Sequence, residues 1–232
     1  MEKERVKDSF AAVVVAAGSG SRMKSCTKKQ FMKLGGKPLV YYALKAFEDS
    51  PVNEIILVTE KNDFAYCRQE IIEKYKLTKV TKLAPGGSER YESVYNGLKM
   101  VESEYVMIQD GARPFLTKDI ILRAMDGVQE TKACAVAMPA KDTIKIVNEN
   151  NIVIDTPLRS TVWQMQTPQC FLTDEIIAAN EAMMKANAKG ITDDCMIMEQ
   201  FGFRKITLIE GSYKNIKVTT PEDLLIGENY LN

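Results

Sequence analysis

The sequence predicts an α/β protein built on a doubly wound, mostly parallel sheet from which a β-hairpin arm protrudes. Strand-like and helix-like segments alternate from Ala11 to Met138, which is typical of β-α-β units with right-handed crossovers. Glycine-rich or charged motifs follow three of the strand-like runs, at the end of a parallel sheet where ligands bind. The alternation stops at Lys141, where a hairpin pattern begins.

The strand-like runs before the arm are short and mostly apolar. They cover Ala11–Ala17, Glu54–Thr59, Val80–Leu83, Tyr105–Ile108 and Ala133–Met138. Ala11–Ala17 is almost continuously apolar, as expected of a strand covered on both faces. Helical patterns follow these runs at Leu39–Phe47, Asp63–Lys76 and Ser88–Val101, and Thr117 is a candidate cap for the next helix.

The hairpin arm, at about 141–157, is the one departure from this pattern. Its two β-rich runs, Thr143–Val147 and Ile152–Ile154, flank the turn Asn148–Asn151. Because both faces carry apolar residues, we expect a second subunit to cover the arm in a homodimer. A monomer in sedimentation at micromolar concentration would contradict this expectation.

The rest of the chain returns to the α/β pattern. It predicts helices near Thr173–Lys185 and Asp193–Phe201, a strand at Lys205–Ile209, a short Asn215–Val218 segment and a final helix at Pro221–Tyr230. No linker or repeat interrupts it, so residues 1–232 are predicted to form one domain plus the arm.

Composition excludes several classes of function. Lys and Arg together number 31, as do Asp and Glu, so net charge does not favour a nucleic-acid or membrane partner. The chain has no histidine, which excludes histidine triads, histidine bases and histidine metal sites. The five cysteines are scattered, and no apolar run resembles a signal peptide or the roughly 20 residues of a membrane span. We therefore predict a cytoplasmic protein.

A phosphate-binding loop is predicted after the first strand. Gly18-Ser-Gly20 offers backbone N–H groups to an anion, and Arg22 and Lys29 supply cations. The third glycine of a dinucleotide fingerprint is missing. The acidic residue that ends the second strand, Glu60, lies about twice as far from the glycines as that fingerprint requires. From these residues alone the loop fits either a nucleotide held at rest or one activated for transfer.

Two more motifs follow strand-like runs and have two interpretations each. Gly86-Gly87, with Ser93 one turn into a helix, fits either a tight turn or a loop that reads a base edge. Asp110 and Arg113 fit either a solvated ion pair or a site for ribose or a metal–phosphate cluster. Further polar residues, each of which taken singly favours a surface position over a ligand, are Arg159, Thr167, Thr192-Asp-Asp194 and Lys217.

Taken in order, the motifs resemble the 2-C-methyl-D-erythritol 4-phosphate cytidylyltransferase family of the non-mevalonate isoprenoid pathway. The matching segments are Ala16-Ala-Gly-Ser-Gly-Ser-Arg-Met, Lys29-Gln, Gly86-Gly-Ser-Glu-Arg, Asp110-Gly-Ala-Arg-Pro, Asp142-Thr-Ile-Lys, Thr167-Pro-Gln, Thr192-Asp-Asp and Asn215-Ile-Lys-Val-Thr-Thr-Pro-Glu-Asp-Leu. They span almost the whole chain, and the ordered set is far more specific than any one segment.

This resemblance implies a Rossmann-like nucleotidyltransferase sheet and a definite reaction. The family transfers CMP from CTP to the phosphate of methylerythritol phosphate, releases diphosphate and uses a divalent cation, usually Mg²⁺. It also implies a homodimer in which the arm reaches the partner's substrate site.

The resemblance assigns roles to individual residues. Arg22 and Lys29 match the catalytic cations. The matches to nucleotide-binding positions are Ala16, Ala17, Gly18, Gly20, Gly87, Ser93, Asp110 and Gly111, with Gly87 and Ser93 at cytosine and Asp110 near the ribose and metal. The matches around the acceptor are Arg159 and Lys217, which position its phosphate, with Arg113, Thr143, Thr167 and Thr192. No set of direct metal ligands is predicted, and Asp110 is the single candidate.

Two positions depart from the family pattern, and three alternatives stay open. Lys28 stands where the family often has proline, which predicts a less rigid loop with an extra charge, and Gly111 replaces a frequent alanine. The nearest alternative is a ribitol-5-phosphate cytidylyltransferase, which a CTP assay with both polyols separates. The others are a non-catalytic nucleotide-binding regulatory domain and an NAD-binding oxidoreductase.

Overall fold

A seven-stranded mixed sheet forms the centre of the computed structural model, which describes residues 5–18, 27–202 and 204–231. The strands are β1 (Val6–Val15), β2 (Lys33–Leu34), β3 (Lys37–Pro38), β4 (Glu54–Thr59), β5 (Val80–Pro85), β6 (Ser103–Asp110), β7 (Ala133–Pro139), β8 (Ile146–Val147), β9 (Val153–Asp155), β10 (Trp163–Leu172) and β11 (Thr207–Glu210). The order across the central sheet is β11-β7-β10-β6-β1-β4-β5.

The helices lie between these strands. They are α1 (Leu39–Glu48), α2 (Phe64–Tyr66), α3 (Arg90–Leu98), α4 (Lys118–Thr131), α5 (Thr173–Lys185), α6 (Asp194–Phe201) and α7 (Pro221–Leu231). The helix predicted at Asp63–Lys76 is instead composite: a 3₁₀ turn at Lys61–Asp63 leads into α2 and then into a π-helical segment at Cys67–Glu73. Thr117 caps α4 as predicted, because its side chain accepts a hydrogen bond from Ile120 N.

The strand directions confirm a doubly wound, mostly parallel sheet. β1 pairs in parallel with β4 and β6, β4 with β5, and β7 with β11. The exception is β10, which runs antiparallel between β6 and β7. The sequence pattern did not predict β10 as a strand, since Gln164, Gln166, Pro168 and Gln169 interrupt its apolar residues.

Apolar layers cover both faces of the sheet, and alternate residues of β1 contribute to opposite layers. Ala12 and Val14 join a layer that includes Phe47 of α1. Val13 packs in the other layer, which includes Leu98 of α3. Gly97 allows α3 to approach β1 closely, because a Cβ there would lie 2.6 Å from Val13 Cγ1. The buried first strand therefore fixes the position of residues 16–18, which directly follow it.

The arm is a hairpin, as predicted. β8 and β9 pair antiparallel, and the Asn148 side chain accepts hydrogen bonds from the N–H groups of Asn150 and Ile152. The apolar side chains of the arm and its base are exposed in the single chain, with 63% of Ile154 and 71% of Leu158 accessible. Coverage by a second subunit stays a prediction.

Two further sequence-based expectations concern cysteines and membrane spans. Cys67, Cys134, Cys170 and Cys195 are free and buried, while Cys26 lies outside the described residues. Within the described ranges, no helix is both long enough and apolar enough to span a bilayer.

Candidate active site

A polar cleft of about 490 Å³ opens where β1, β5 and β6 end. The residues that line it are Val15, Ala16, Ala17, Gly18, Lys29, Gln30, Glu60, Gly87, Ser88, Glu89, Arg90, Ser93, Asp110, Ala112, Lys217 and Thr219. Residues predicted for the nucleotide and for the acceptor thus share one cavity, at the edge of the sheet where the sequence placed it.

The loop after β1 contributes the first wall. Ala16 N donates to Val58 O at 2.8 Å, which extends the β1–β4 ladder to the rim. Lys29 begins a 3₁₀ turn, Lys29–Phe31, and lines the cleft. Gly18 also lines it, whereas the predicted Gly20 and Arg22 belong to the segment 19–26, outside the described residues.

The second glycine loop packs directly against the first. A Cβ at Gly86 would lie 2.5 Å from Ala17 Cβ, so the close approach requires glycine. Gly87 N donates to Ser93 Oγ at 2.9 Å, and Ser93 Oγ donates to Glu89 O at 3.1 Å. These bonds hold the two predicted cytosine contacts, Gly87 and Ser93, against each other on one side of the cleft.

Asp110 lies at the end of β6 among three cations. Its Oδ2 is 2.9 Å from Lys217 Nζ and 3.7 Å from Arg113 Nε, and its Oδ1 is 3.5 Å from Arg90 Nε. Burial alone would raise the pKa of this carboxyl, but Arg90, Lys217 and Arg113 outweigh it and hold the pKa well below its usual range. Asp110 is therefore a carboxylate at neutral pH.

Arg90 and Asp194 belong to this network, although the sequence pattern indicated no role for either residue. Arg90 Nη2 lies 2.8 Å from Asp194 Oδ2. Burial opposes the charge on Arg90, yet Asp194 and Asp110 raise the pKa of the guanidinium. Burial raises the pKa of Asp194, and Arg90 counteracts the rise. The sequence did contain a signal for both residues, because each ends a segment that matches the family. Arg90 ends Gly86-Gly-Ser-Glu-Arg, and Asp194 ends Thr192-Asp-Asp.

Arg113 and Thr167 support the loop that carries Lys217 through hydrogen bonds. Arg113 Nη1 donates to Asn215 O at 2.7 Å, and the Asn215 amide donates to Thr167 O at 3.1 Å. Thr167 Oγ1 accepts from Asp110 N at 3.2 Å. These contacts tie the loop that carries Lys217 to the end of β6 and the middle of β10. Arg113 and Thr167 thus lie beside the cleft rather than at its surface.

Gly111 continues from Asp110 in a confined position. Its N–H donates to Val15 O at 2.9 Å. A Cβ would lie 3.0 Å from that oxygen and 3.2 Å from Ala16 Cβ. Alanine at this position would therefore require the end of β1 to move slightly, so glycine suits the local packing.

Three residues predicted for the acceptor lie away from the described part of the cleft. Thr143 and Arg159, at the base of the arm, are exposed, and Arg159 Nη1 donates only weakly to Lys141 O at 3.4 Å. Thr192 is exposed beside Met196. One chain alone does not bring these three side chains to Lys29 and Asp110.

The donor groups in the cleft fit a metal ion only in part. Among the described residues, no cluster of three or more acidic or cysteine side chains could hold a metal ion. Asp110 faces three cations, and Glu60 is paired with Lys28. Among the described residues, Asp110 is therefore the candidate protein contact for a metal ion, and such an ion would take most of its ligands from substrate phosphates and water.

The fold and the cleft define a class of protein: a doubly wound α/β protein whose glycine loops and cations suit a phosphorylated nucleotide. The family model described as IspD: 2-C-methyl-D-erythritol 4-phosphate cytidylyltransferase matches residues 10–232. The chain belongs to this family.

Individual relatives agree with this assignment. Proteins with the same family name from Caldanaerobacter subterraneus subsp. tengcongensis and Lachnospira eligens are 44% and 48% identical, each over 95% of this chain and 98% of the relative. A crystal structure of 4-diphosphocytidyl-2C-methyl-D-erythritol synthase from Anaerococcus prevotii superposes with a TM-score of 0.82 at 32% identity, covering 96% of this chain and 98% of the other.

Proposed function

We propose that this protein transfers CMP from CTP to the phosphate of 2-C-methyl-D-erythritol 4-phosphate and releases diphosphate, a step in isoprenoid precursor synthesis. Family membership supports the reaction. The observation that supports it best is one cleft lined by Lys29, Gly87 and Asp110, which are predicted for the nucleotide, and by Lys217, which is predicted for the acceptor phosphate.

The chemistry needs alignment and charge neutralisation rather than a base. A phosphate monoester, with a second pKa of about 6, is already an anionic nucleophile at pH 7. An acceptor oxygen bonds to the α-phosphorus of CTP, the bond from that phosphorus to the bridging oxygen breaks, and diphosphate leaves with the electron pair. A chain without histidine can therefore perform it.

On the donor side, the glycine loops would hold the nucleotide and the loop cations would neutralise its phosphates. We assign Gly87 and Ser93 to the base, and Lys29 to the charge that develops on the α-phosphate. Arg22 is assigned the same role from the sequence alone. Ala16, Ala17, Gly18, Gly20 and Gly111 complete the proposed nucleotide contacts.

On the acceptor side, Lys217 is the proposed cation for the acceptor phosphate. Asp110 orients Lys217 through the 2.9 Å ion pair, and Arg113 and Thr167 support the loop beneath it. We assign Arg159, Thr143 and Thr192 to the acceptor as well, with Arg159 acting from the arm of a partner subunit in a homodimer. The exposed apolar arm supports this arrangement.

We further propose that the reaction uses Mg²⁺, which would neutralise the triphosphate beside Asp110. The chain's own residues would hold the two anions and exclude water from between them. A cytoplasmic location stays a prediction based on the scattered cysteines.

Substitution of Lys29 tests the proposal. Lys29→Ala should lower kcat by about 10²–10³-fold, the loss typical of one transition-state donor, with a smaller change in the KM for CTP. Diphosphate release is measured with CTP and either methylerythritol phosphate or ribitol 5-phosphate. The exposed Lys61 provides the control Lys61→Ala. Near-normal turnover of Lys29→Ala would overturn the role of the loop, and faster transfer to ribitol 5-phosphate would change the acceptor.

A further inference from the structure

Lys28, the residue before the turn that carries Lys29, contacts two carboxylates from another segment. Its Nζ lies 2.7 Å from Glu60 Oε2 and 2.7 Å from Asp63 Oδ2. The sequence predicted an extra charge and a less rigid loop at this position. In the structure, the charge is neutralised by partners, and the side chain joins the loop to the segment after β4.

The turn is also held at its other end. Phe31 packs edge-on against Tyr66 with ring centroids 4.9 Å apart. Between the two attachments, Phe31 N donates to Lys28 O at 2.9 Å. Lys29 therefore sits in a short turn with one attachment on either side. Because Glu60 also lines the cleft, the attachment at Lys28 lies at the rim of the site.

The ion cluster is stronger than a single surface pair. Isolated exposed pairs contribute little, but here one ammonium serves two carboxylates, and the side chains of Lys28 and Asp63 are only 31% and 16% exposed. Burial lowers the pKa of Lys28, but the hydrogen bonds to Asp63 and Glu60 prevail and raise it above its usual value. Lys28 thus stays charged at neutral pH.

We propose that Lys28 is a positioning residue that fixes Lys29 in the cleft by tethering the Lys29–Phe31 turn to Glu60 and Asp63. The inference rests on the proposed function for its catalytic consequence. A small displacement of a catalytic group lowers the rate of the chemical step more than it weakens substrate binding. The tether should therefore affect kcat rather than the KM for CTP.

Kinetics of Lys28 variants give the first test. Lys28→Met should lower kcat about fivefold and leave the KM for CTP within about twofold, and Lys28→Arg should restore most of the rate. Lys61→Met removes an exposed lysine of the neighbouring turn and should match wild type. An unchanged kcat for Lys28→Met would overturn the proposal, as would a loss that appears only in the KM for CTP, since the latter would make Lys28 a substrate ligand.

A triple variant separates positioning from simple neutralisation of Glu60 beside a triphosphate. Lys28→Met/Glu60→Gln/Asp63→Asn removes the tether together with both unpaired carboxylates. Positioning predicts that kcat stays about fivefold low. Recovery to the wild-type value would mean that Lys28 acts only by cancelling charge, and would overturn the proposal.

Limited proteolysis tests the tether without any substrate. Trypsin cleaves after Lys28 and Lys29, and cleavage reports local opening. Glu60→Gln/Asp63→Asn should speed cleavage at these two sites about fivefold, as followed by mass spectrometry. The exposed carboxylates of Glu73 and Asp126 provide the control Glu73→Gln/Asp126→Asn. Equal cleavage in both variants would refute the tether. If wild type fails to transfer CMP, the proposed function fails, and the cleavage result still decides on the tether.

Discussion

Two opposing influences act on the pKa of Asp110. Burial raises it and the neighbouring cations lower it, and the cations prevail. The three surrounding cations are themselves at least partly buried, and each pairs with this carboxylate, although Arg90 also pairs with Asp194. Removing one member of a buried ion network leaves its partners uncompensated, which costs more than the network contributes as a whole. Asp110 therefore matters for stability as well as for the orientation of Lys217.

Asp110→Asn should lower the free energy of unfolding by about 3 kcal/mol at pH 7. Because the folded-state pKa is depressed, the contribution is complete above the unfolded-state value of about 3.9 and is lost as the pH falls below it. Urea unfolding from pH 8 to pH 3.5 should show a constant difference from wild type down to about pH 4.5 and a shrinking one below. The exposed Asp126 supplies the control Asp126→Asn, and a difference that shrinks already between pH 8 and pH 6 would contradict the assigned cause.

Strand β10 supports the start of α6 through one buried glutamine. Gln169 Oε1 accepts from the N–H groups of Asp194 and Cys195 at 2.9 and 3.0 Å, and its amide nitrogen donates to Asp193 Oδ2 at 2.8 Å. This side chain satisfies the orphan donors at the start of α6. It thereby fixes Asp194 against Arg90.

Gln169→Leu keeps the volume of the side chain but removes these bonds. Leaving two buried N–H groups unpaired should lower the free energy of unfolding by about 2–4 kcal/mol, as measured by urea unfolding. The KM for the acceptor should rise because Thr192 lies beside the displaced segment. Gln164→Leu, on an exposed position of the same strand, is the matched control; equal stability of the two variants would contradict the role of Gln169.

Strand β10 also illustrates which parts of the fold the sequence pattern does not predict. β4 was predicted at its observed bounds because its central residues are apolar, and α5 was predicted at its observed bounds too. Of β1, only the apolar residues 11–15 were predicted, because Lys7, Asp8 and Ser9 interrupt its first half with polar side chains. β10 was not predicted, since its glutamines are stabilised by partners distant in sequence, such as Asp193 and Ser212. The motifs predicted Lys29, Gly87 and Lys217, which line the cleft. The ion pairs of Arg90 could not be predicted, because Asp110 and Asp194 are distant from it in sequence and meet it only in the fold.

At the scale of the whole molecule, the arm is the feature that the single chain does not explain. The apolar side chains of the arm and its base, including Ile154 and Leu158, are exposed, and the Arg159 side chain at the base donates to Lys141 O at 3.4 Å. An exposed apolar surface of this kind indicates an interface. If two chains exchange arms, each cleft takes Lys29 from one chain and Arg159 from the other, and this arrangement has a distinctive consequence in mixed dimers.

Coexpression of Lys29→Ala and Arg159→Ala chains under different tags tests the exchange. At subsaturating acceptor each homodimer should be nearly inactive, since one lacks the α-phosphate cation and the other a cation for the acceptor phosphate. In the purified mixed dimer, one cleft carries both substitutions and the other carries neither, so activity should recover to about half that of a wild-type dimer. The double variant Lys29→Ala/Arg159→Ala, paired with itself, is the inactive control. If Arg159 instead serves its own chain, every cleft of the mixed dimer lacks one cation and no activity returns, which would remove the arm from the partner's site.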